Sequence, residues 1–243
     1  EDVLNYFEFN YERDISDPFL FKDMKKAVER ISAAKNNKEK ICIFGDYDAD
    51  GVTASVLVYE ALWDLGFTDV ISYIPDRQFE GYGMNVEAVK YLEKEGVTLI
   101  ITVDCGITNI EEVAKAKEVG IDVIITDHHH VPNNIPSALA IINPHMGDPD
   151  KGSGRLAGVG VAFKLVQALY KKMNPNEMEK LKWMLDIIAI GTIADCVPLL
   201  RAYRVLVKYG LIVLSKTRRR GLQEMCKVGR ILIDENNIPD TQK

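Results

Sequence analysis

The stretch ICIFGDYDADGVTAS, residues 41–55, joins an apolar run to three aspartates at alternate positions, Asp46, Asp48 and Asp50. Short Val/Ile-rich runs of this kind are typical of strands buried on both faces of a parallel sheet. Three like charges placed so close together repel one another, so a positive group must compensate them. The stretch therefore predicts a buried strand that ends at a charged site, and the compensating group decides the function.

Similar apolar runs recur along the chain and alternate with amphipathic stretches. The predicted strands are residues 40–44, 70–74, 98–103, 122–126 and 138–142. The stretches between them, residues 52–65, 85–95 and 109–119, have the helical period and the length that a crossover between parallel strands requires. The alternation predicts an α/β fold, a doubly wound and mostly parallel five-stranded sheet with flanking helices. Further helices are predicted at residues 17–34, before the sheet, and in a helical C-terminal part at 156–172, 176–194, 203–214 and 222–228.

Composition excludes some classes of protein and leaves one question open. The chain has 243 residues, 47% of them apolar, which suffices for a sizeable core. It has no apolar run of membrane-spanning length, no signal-peptide layout and no CxxC pair, so we expect a cytoplasmic protein with reduced cysteines and no membrane partner. The net charge of −6 alone argues against nucleic acid, but bound metal ions would cancel part of it. The basic run KTRRR, residues 216–220, is equally explained as a solvated helix end, so charge does not decide the partner.

Acids and histidines follow three of the predicted strands. They are Asp46, Asp48 and Asp50 after the first, Asp104 after the third, and Asp127, His128, His129 and His130 after the fourth. Because the carboxyl ends of parallel strands meet at one edge of the sheet, we expect these side chains to lie together. In an extended loop, Asp48 and Asp50 would point the same way, and Gly51 would turn the chain into the next helix.

Metal is the compensating group that this set of side chains favours. Carboxylates with a few imidazoles suit Mn²⁺ or Mg²⁺, and there are enough of them for two ions that share a bridging acid. Asp195 ends an apolar run long enough to be buried, so it also needs a partner. Single aspartates after strands are often helix caps, and adjacent histidines occur as surface tracts, but all of these would have to coincide at one edge. Asp186 is interpreted as a cap or an ion-pair partner.

Four motifs in order, GDYDADG, VDCG, TDHHH and GTIADCVPL, resemble the DHH phosphoesterase superfamily. The family is named for its Asp-His-His motif, here residues 127–129, and the GDYDADG form resembles its RecJ-like single-strand-specific exonucleases. The similarity covers about residues 17–222. It implies a two-metal phosphodiesterase that uses Mn²⁺ or Mg²⁺ to degrade single-stranded DNA from the 5′ end in DNA repair and recombination.

The resemblance also implies a metal-ligand set. The matching positions are Asp48, Asp50, Asp104, His128 and Asp195. Asp104 would bridge the two ions and is therefore also expected to be catalytic. Asp46 is expected to be a ligand or a close neighbour of one.

Other residues are candidates for the substrate side of the site. By the same resemblance, His129 would face the scissile phosphate as a catalytic residue. Arg77 and Tyr82 are candidates for contacts with phosphate and base, although a structural role explains them as well. Gly158 and Gly160, in AGVGVA, either offer backbone N–H groups to a phosphate or allow close helix packing.

The resemblance suggests a division of the chain. We expect an N-terminal helical segment at residues 1–38, a DHH phosphoesterase domain at 39–200, and a helical extension at 201–243 toward a missing second domain. Single-stranded DNA is the expected partner, with replication or repair proteins as further partners of the full-length protein. The alternatives are a DHH-type phosphoesterase of oligoribonucleotides, cyclic dinucleotides or pyrophosphate, and an inactive nucleic-acid-binding scaffold. A haloacid-dehalogenase-type phosphatase would leave the DHH motif and Asp195 unexplained.

Overall fold

The sheet has five strands in the order β2-β1-β3-β4-β5, and every paired neighbour is parallel. The computed structural model describes residues 10–146, 156–199, 202–231 and 238. The strands are β1 (Lys40–Gly45), β2 (Val70–Tyr73), β3 (Val97–Val103), β4 (Asp122–Thr126) and β5 (Ala140–Ile142). The predicted α/β fold is confirmed, and the sheet is wholly parallel over these strands.

Nine α-helices lie within the described part of the chain. They are α1 (Tyr11–Asp14), α2 (Met24–Asn37), α3 (Ala49–Asp64), α4 (Val86–Lys94), α5 (Ile110–Glu118), α6 (Gly158–Met173), α7 (Leu185–Ala194), α8 (Ala202–Leu214) and α9 (Arg220–Val228). Two helix predictions were too long. The first predicted helix starts as a separate 3₁₀ turn, Pro18–Leu20, capped by the Asp17 side chain, and residues 176–194 divide into a kinked 3₁₀ segment, Pro175–Met184, and α7.

The core has two halves because successive strand side chains point to opposite faces of the sheet. Ile41 and Ile43 pack against α2, α3 and α6, whereas Cys42 and Phe44 pack against α4 and α5 on the other face. Both halves are closed to water, which explains why the strands are almost continuously apolar.

The two outer parts of the chain share this core. Met24 of α2 and Leu206 of α8 belong to the same buried cluster as the sheet. The boundaries predicted at residues 38 and 200 therefore do not separate independent cores, and the division into domains stays a prediction. The first nine residues of the chain and most residues beyond 231 lie outside the described part. No described helix is both long and apolar enough to cross a membrane.

The strand order places a ligand-binding edge between β1 and β3. The order reverses there, because β2 lies on one side of β1 while β3, β4 and β5 follow on the other. In open parallel sheets, ligands bind beyond the carboxyl ends of the strands at this point of reversal. Asp46 follows β1 and Asp104 follows β3, so both acids lie at this edge.

Candidate metal centre

The three aspartates after β1 do not form the extended loop that their spacing predicted. Helix α3 begins at Ala49, and the Asp48 carboxylate caps it by accepting the Gly51 N–H at 2.9 Å. Aspartate is a favoured N-cap because it satisfies one of the unpaired N–H groups of the first turn. As a result Asp48 and Asp50 do not face the same way: Asp48 lies near Asp46 and Asp104, and Asp50 lies near His128 and Asp195.

Asp50 is buried and holds the start of a distant helix. Its two oxygens accept the N–H groups of Gly158 at 2.5 Å and Val159 at 2.8 Å, at the N-terminus of α6. A helix N-terminus stabilises a carboxylate. Burial and the nearby Asp104 nevertheless raise the pKa of Asp50 to about 7. The ionised Asp50 carboxylate is therefore destabilised in the protein alone, and a bound cation would stabilise it.

Asp104 occupies the centre of the group. It follows β3 in a left-handed backbone conformation, with φ of 61°, and only 2% of the residue is exposed. Burial, together with repulsion from Asp48, raises its pKa to about 6. A methyl group on Gly158 would lie 2.4 Å from the Asp104 Cβ and Oδ1, so the start of α6 approaches this carboxylate as closely as only glycine permits.

His128 brings its imidazole among the carboxylates. Nε2 lies 3.1 Å from Asp104 Oδ1 and 4.0 Å from Asp50 Oδ2, and Nδ1 lies 3.8 Å from Asp195 Oδ2. Burial disfavours the protonated ring, but the surrounding carboxylates outweigh it and raise the pKa of His128 to about 9. One imidazole therefore contacts acids from β1–α3, β3 and the end of α7.

Among the described residues, three buried carboxylate oxygens lack a well-formed hydrogen bond: Asp46 Oδ1, Asp104 Oδ1, which only faces the His128 ring nitrogen at 3.1 Å, and Asp195 Oδ2. Buried polar atoms are nearly always paired, so these three require an explanation. Burial also raises the pKa values of Asp46 and Asp195. Unpaired, partly desolvated oxygens from three separate chain segments fit a divalent cation.

The donor atoms fall into overlapping groups of three in which all atoms lie within 4.8 Å of one another. The groups are Asp46, Asp48 and Asp104; Asp104, His128 and His129; and Asp50, His128 and Asp195. All six predicted ligands are thus brought together. Asp104 and His128 each belong to two groups, and of these two the carboxylate is the one with two oxygens that could bridge a pair of ions. Oxygen donors with one or two imidazoles suit Mn²⁺ or Mg²⁺. The assignment of individual ligands stays a prediction.

His129 is held by Asp127, to which the sequence analysis gave no ligand, catalytic or positioning role. Its Nδ1 lies 2.8 Å from Asp127 Oδ1 and 3.1 Å from the Tyr82 hydroxyl. Asp127 is fully buried and also accepts the backbone N–H groups of His129 and Ile107. Burial raises its pKa, but the contact with the His129 ring and these two N–H groups outweigh the burial and lower it. The Asp127 contact raises the pKa of His129. The position of Asp127 immediately before His128 and His129 was the one available signal.

The predicted substrate-binding residues lie in different surroundings. The Tyr82 hydroxyl donates to the Asp104 carbonyl at 3.2 Å, and the Arg77 guanidinium lies 5.3 Å from the centre of the Tyr47 ring. Both residues therefore lie beside the site. Gly158 donates its N–H to Asp50, and Gly160 donates to the Ala157 carbonyl, so these N–H groups are already used within the protein. Substrate contacts by these four residues stay predictions.

Comparison with known proteins places the chain in a recognised group. The sequence model of the N-terminal domain of the DHH family matches residues 40–192. The single-stranded-DNA-specific exonuclease RecJ of Bacillus subtilis (strain 168) is 46% identical over 224 residues, which cover 92% of this chain and 28% of that protein. RecJ of Escherichia coli (strain K12) is 39% identical over 77% of this chain and 34% of its own length. This chain thus spans about a third of these relatives.

Solved structures agree with the sequence relatives. A crystal structure of exonuclease RecJ bound to manganese superposes with a TM-score of 0.78 at 34% identity, covering 90% of this chain and 55% of that one. RecJ of Thermus thermophilus in complex with Mn²⁺ gives a TM-score of 0.72 at 34% identity, covering 86% of this chain and 29% of that one.

Proposed function

This chain belongs to the DHH family, and on that basis we propose that it is the catalytic core of a metal-dependent 5′-to-3′ exonuclease acting on single-stranded DNA. The proposal is supported by relatives whose names state this activity and by related structures that contain manganese. The observation that carries it is the set of three buried carboxylate oxygens, on Asp46, Asp104 and Asp195, that lack a well-formed hydrogen bond; those of Asp104 and Asp195 face the His128 ring.

The residues of the site divide between holding metal and contacting substrate. Asp46, Asp48 and Asp104 would hold one Mn²⁺ or Mg²⁺ ion, and Asp50, His128 and Asp195 would hold the second. Asp104 would also reach the second ion, because its Oδ1 lies 3.1 Å from His128 Nε2. When bound, two such ions activate a water and offset the negative charge that develops on a phosphate. Asp104 and Asp50 are held in place by α6 and by burial, so the ligand geometry is preorganised.

His129 is the protein's own group for the phosphate. The Asp127 contact fixes its Nδ1, which leaves Nε2 to donate a hydrogen bond to a non-bridging phosphate oxygen. The ring is 45% exposed, so a substrate can reach it. Single-stranded DNA and, for the full-length protein, replication or repair proteins are the proposed partners. The proposed cytoplasmic location is consistent with four free cysteines.

The test is digestion of 5′-phosphorylated single-stranded DNA with Mn²⁺ by the chain and by Asp104→Ala. We expect release of mononucleotides and a loss of several orders of magnitude in Asp104→Ala, because a bridging carboxylate serves both ions. Asp69→Ala, an exposed aspartate before β2 at the opposite edge of the sheet, is the matched control and should retain full activity. Faster hydrolysis of a dinucleotide than of a long strand would instead indicate a small-substrate phosphoesterase.

A further inference from the structure

The loop between β2 and α4 carries an aromatic side chain into solvent beside the metal centre. Phe79 is 86% exposed and lies in a loop, residues 74–85, of which two other members, Arg77 and Tyr82, lie beside the site. Arg77 lies over the ring of Tyr47, the residue between Asp46 and Asp48. Tyr82 contacts Asp104 and His129. Phe79 lies between these two anchors in the sequence, so it belongs to the exposed part of the loop that borders the site.

Internal hydrogen bonds make the tip of this loop rigid. Asp76 Oδ1 accepts the N–H groups of Gln78 at 2.7 Å and Phe79 at 3.2 Å. Glu80 accepts the Asp76 N–H at 2.8 Å and the Tyr73 hydroxyl at 2.5 Å. Because the backbone of Phe79 is fixed on both sides, a ligand that stacks on its ring would have to order little more than the ring itself.

Single exposed apolar residues are common and need no special explanation. Phe79 differs because it stands on a hydrogen-bonded turn next to a site proposed to take a polyanion. Its neighbours Arg77, Gln78 and Glu80 are charged or polar, so the loop does not present the continuous apolar patch typical of protein docking. An isolated exposed ring on a loop that also carries an arginine is instead typical of surfaces that bind single-stranded nucleic acid.

We propose that Phe79 is a stacking platform for a nucleobase of the substrate strand, close to the phosphate that is cleaved. The proposal rests on the proposed function. Phe79 would contact a base of the same strand whose phosphate binds at His129 and the metal ligands. Stacking on an aromatic ring accepts any base, so this contact would favour a strand with bases over a bare sugar–phosphate chain without imposing a sequence. It would also favour single strands, because paired bases do not offer a free face.

The experiment measures kcat and KM with Mn²⁺ on two 5′-phosphorylated strands of equal length. One is oligodeoxythymidine, and in the other the first four nucleotides at the 5′ end are abasic. In the unsubstituted chain, removing the bases should lower kcat/KM. Phe79→Ala should lower kcat/KM on the complete strand by about 5- to 100-fold, mainly through KM, and should leave the abasic strand unaffected.

Two further variants separate stacking from other roles. Phe79→Trp keeps a ring and should restore the preference for bases. Trp63→Ala removes another exposed aromatic, 65% exposed near the far end of α3, and should behave as the unsubstituted chain. Because Phe79 is exposed, all variants should keep the melting temperature.

The outcomes distinguish this proposal from the one on which it rests. Equal losses on both strands, or no loss on either while the unsubstituted chain digests DNA, would overturn the stacking role and leave the nuclease intact. A shared loss would also indicate that the ring orders the loop or contacts another part of a longer protein. No digestion of any strand by the unsubstituted chain would overturn both proposals.

Discussion

At the scale of single residues, the site depends on charges that the protein alone does not neutralise. Asp46, Asp104 and Asp195 each keep a buried oxygen without a hydrogen bond, and burial raises the pKa of each. An uncompensated buried charge normally shifts its pKa or finds a partner. In this protein the pKa values of the three acids are raised, and a bound cation would be the partner that their charges lack. The raised pKa values and the donor groups therefore point to the same metal site.

Asp127 offers the sharpest test of a positioning residue. Asp127→Asn keeps the size of the side chain but weakens the acceptor for the His129 ring and places an amide N–H against a backbone N–H. We expect kcat on single-stranded DNA to fall about 10- to 100-fold, as for other partners that orient a functional histidine, with Mn²⁺ content unchanged. Kinetics together with metal analysis of the purified protein measure both quantities.

Tyr82→Phe is the comparison for Asp127→Asn, because it removes the other contact to the same nitrogen of His129. Its effect on kcat should be smaller, since the buried carboxylate and not the hydroxyl fixes the ring. Full kcat in Asp127→Asn, or loss of bound Mn²⁺, would show that Asp127 does not act through His129.

The affinity for Mn²⁺ should depend on pH in a direction set by the raised pKa values. Asp50 and Asp104, with pKa values of about 7 and about 6, bind protons in the metal-free protein as the pH falls through those values, and His128 keeps its proton up to about 9. Each of these protons competes with a cation, so affinity should rise from pH 5 to pH 8 by about tenfold per pH unit for each proton released. Calorimetry in buffers of different ionisation enthalpy counts the protons, and a pH-independent affinity would contradict the proposed ligands.

The sequence predicted which residue types meet at the edge of the sheet but not how each is held. Because Asp104 follows β3 and His128 follows β4, the predicted strand ends were enough to expect these two residues close together. The partners of Asp50 lie 108 and 109 residues away, at the start of α6, and no local pattern shows that approach. Asp127 was open to interpretation as a helix cap, and only the structure shows its carboxylate turned toward His129.

At the scale of helices and strands, the apolar runs in the sequence were enough to predict the parallel sheet. The predicted bounds of the first four strands agree with the structure to within about one residue, since Val/Ile-rich runs closed on both faces leave little ambiguity. Helix boundaries were less certain. Asp48, interpreted as part of an extended loop, is the N-cap of α3, because the helix already begins at Ala49 and the Gly51 N–H donates to the Asp48 carboxylate. Gly51 therefore lies in the first turn of the helix, where a Cβ would come within 2.6 Å of the Asp46 carbonyl oxygen.

The C-terminal helices are tied to the fold by one buried acid. Asp186, at the start of α7, accepts hydrogen bonds from Arg219 and Thr217, and Arg219 also pairs with Glu60 of α3. The interpretation of Asp186 as an ion-pair partner is confirmed. One arginine of the basic run, the partly buried Arg219, is thereby held against the protein by two ion pairs, while Arg218 lies over the exposed ring of Trp183.

The N-terminus of α6 gives a test at the scale of elements. A Cβ at residue 158 would overlap the Asp104 carboxylate, so Gly158→Ala should displace either the helix or the acid and weaken Mn²⁺ binding at least tenfold, with a lower melting temperature. Gly160→Ala, in the same helix, meets a Leu156 methyl group at 3.0 Å and replaces a poor helix former, so its metal affinity should be nearly unchanged. Equal Mn²⁺ affinity in the two variants would show that the close approach of α6 to Asp104 is not needed for the site.

At the scale of the whole molecule, the fold brings distant parts of the chain to one edge. The sheet order places the carboxyl ends of β1, β3 and β4 side by side. Helix α7 packs against α3, and Asp195 follows its last residue. Asp50, Asp104 and Asp195, from three distant parts of the chain, thus meet around the His128 imidazole. The chain spans about a third of its relatives, but these residues of the proposed site all lie within it.

The most direct measurement of the central claim is a titration of the chain with Mn²⁺ by isothermal calorimetry, together with Asp104→Ala and the control Asp69→Ala. The account predicts two bound ions in the unsubstituted chain and in the control, and loss of tight binding at both sites in Asp104→Ala, because the Asp104 carboxylate belongs to one donor group and lies 3.1 Å from His128 of the other. Two ions bound with unchanged affinity in Asp104→Ala, or no binding by the unsubstituted chain, would contradict it.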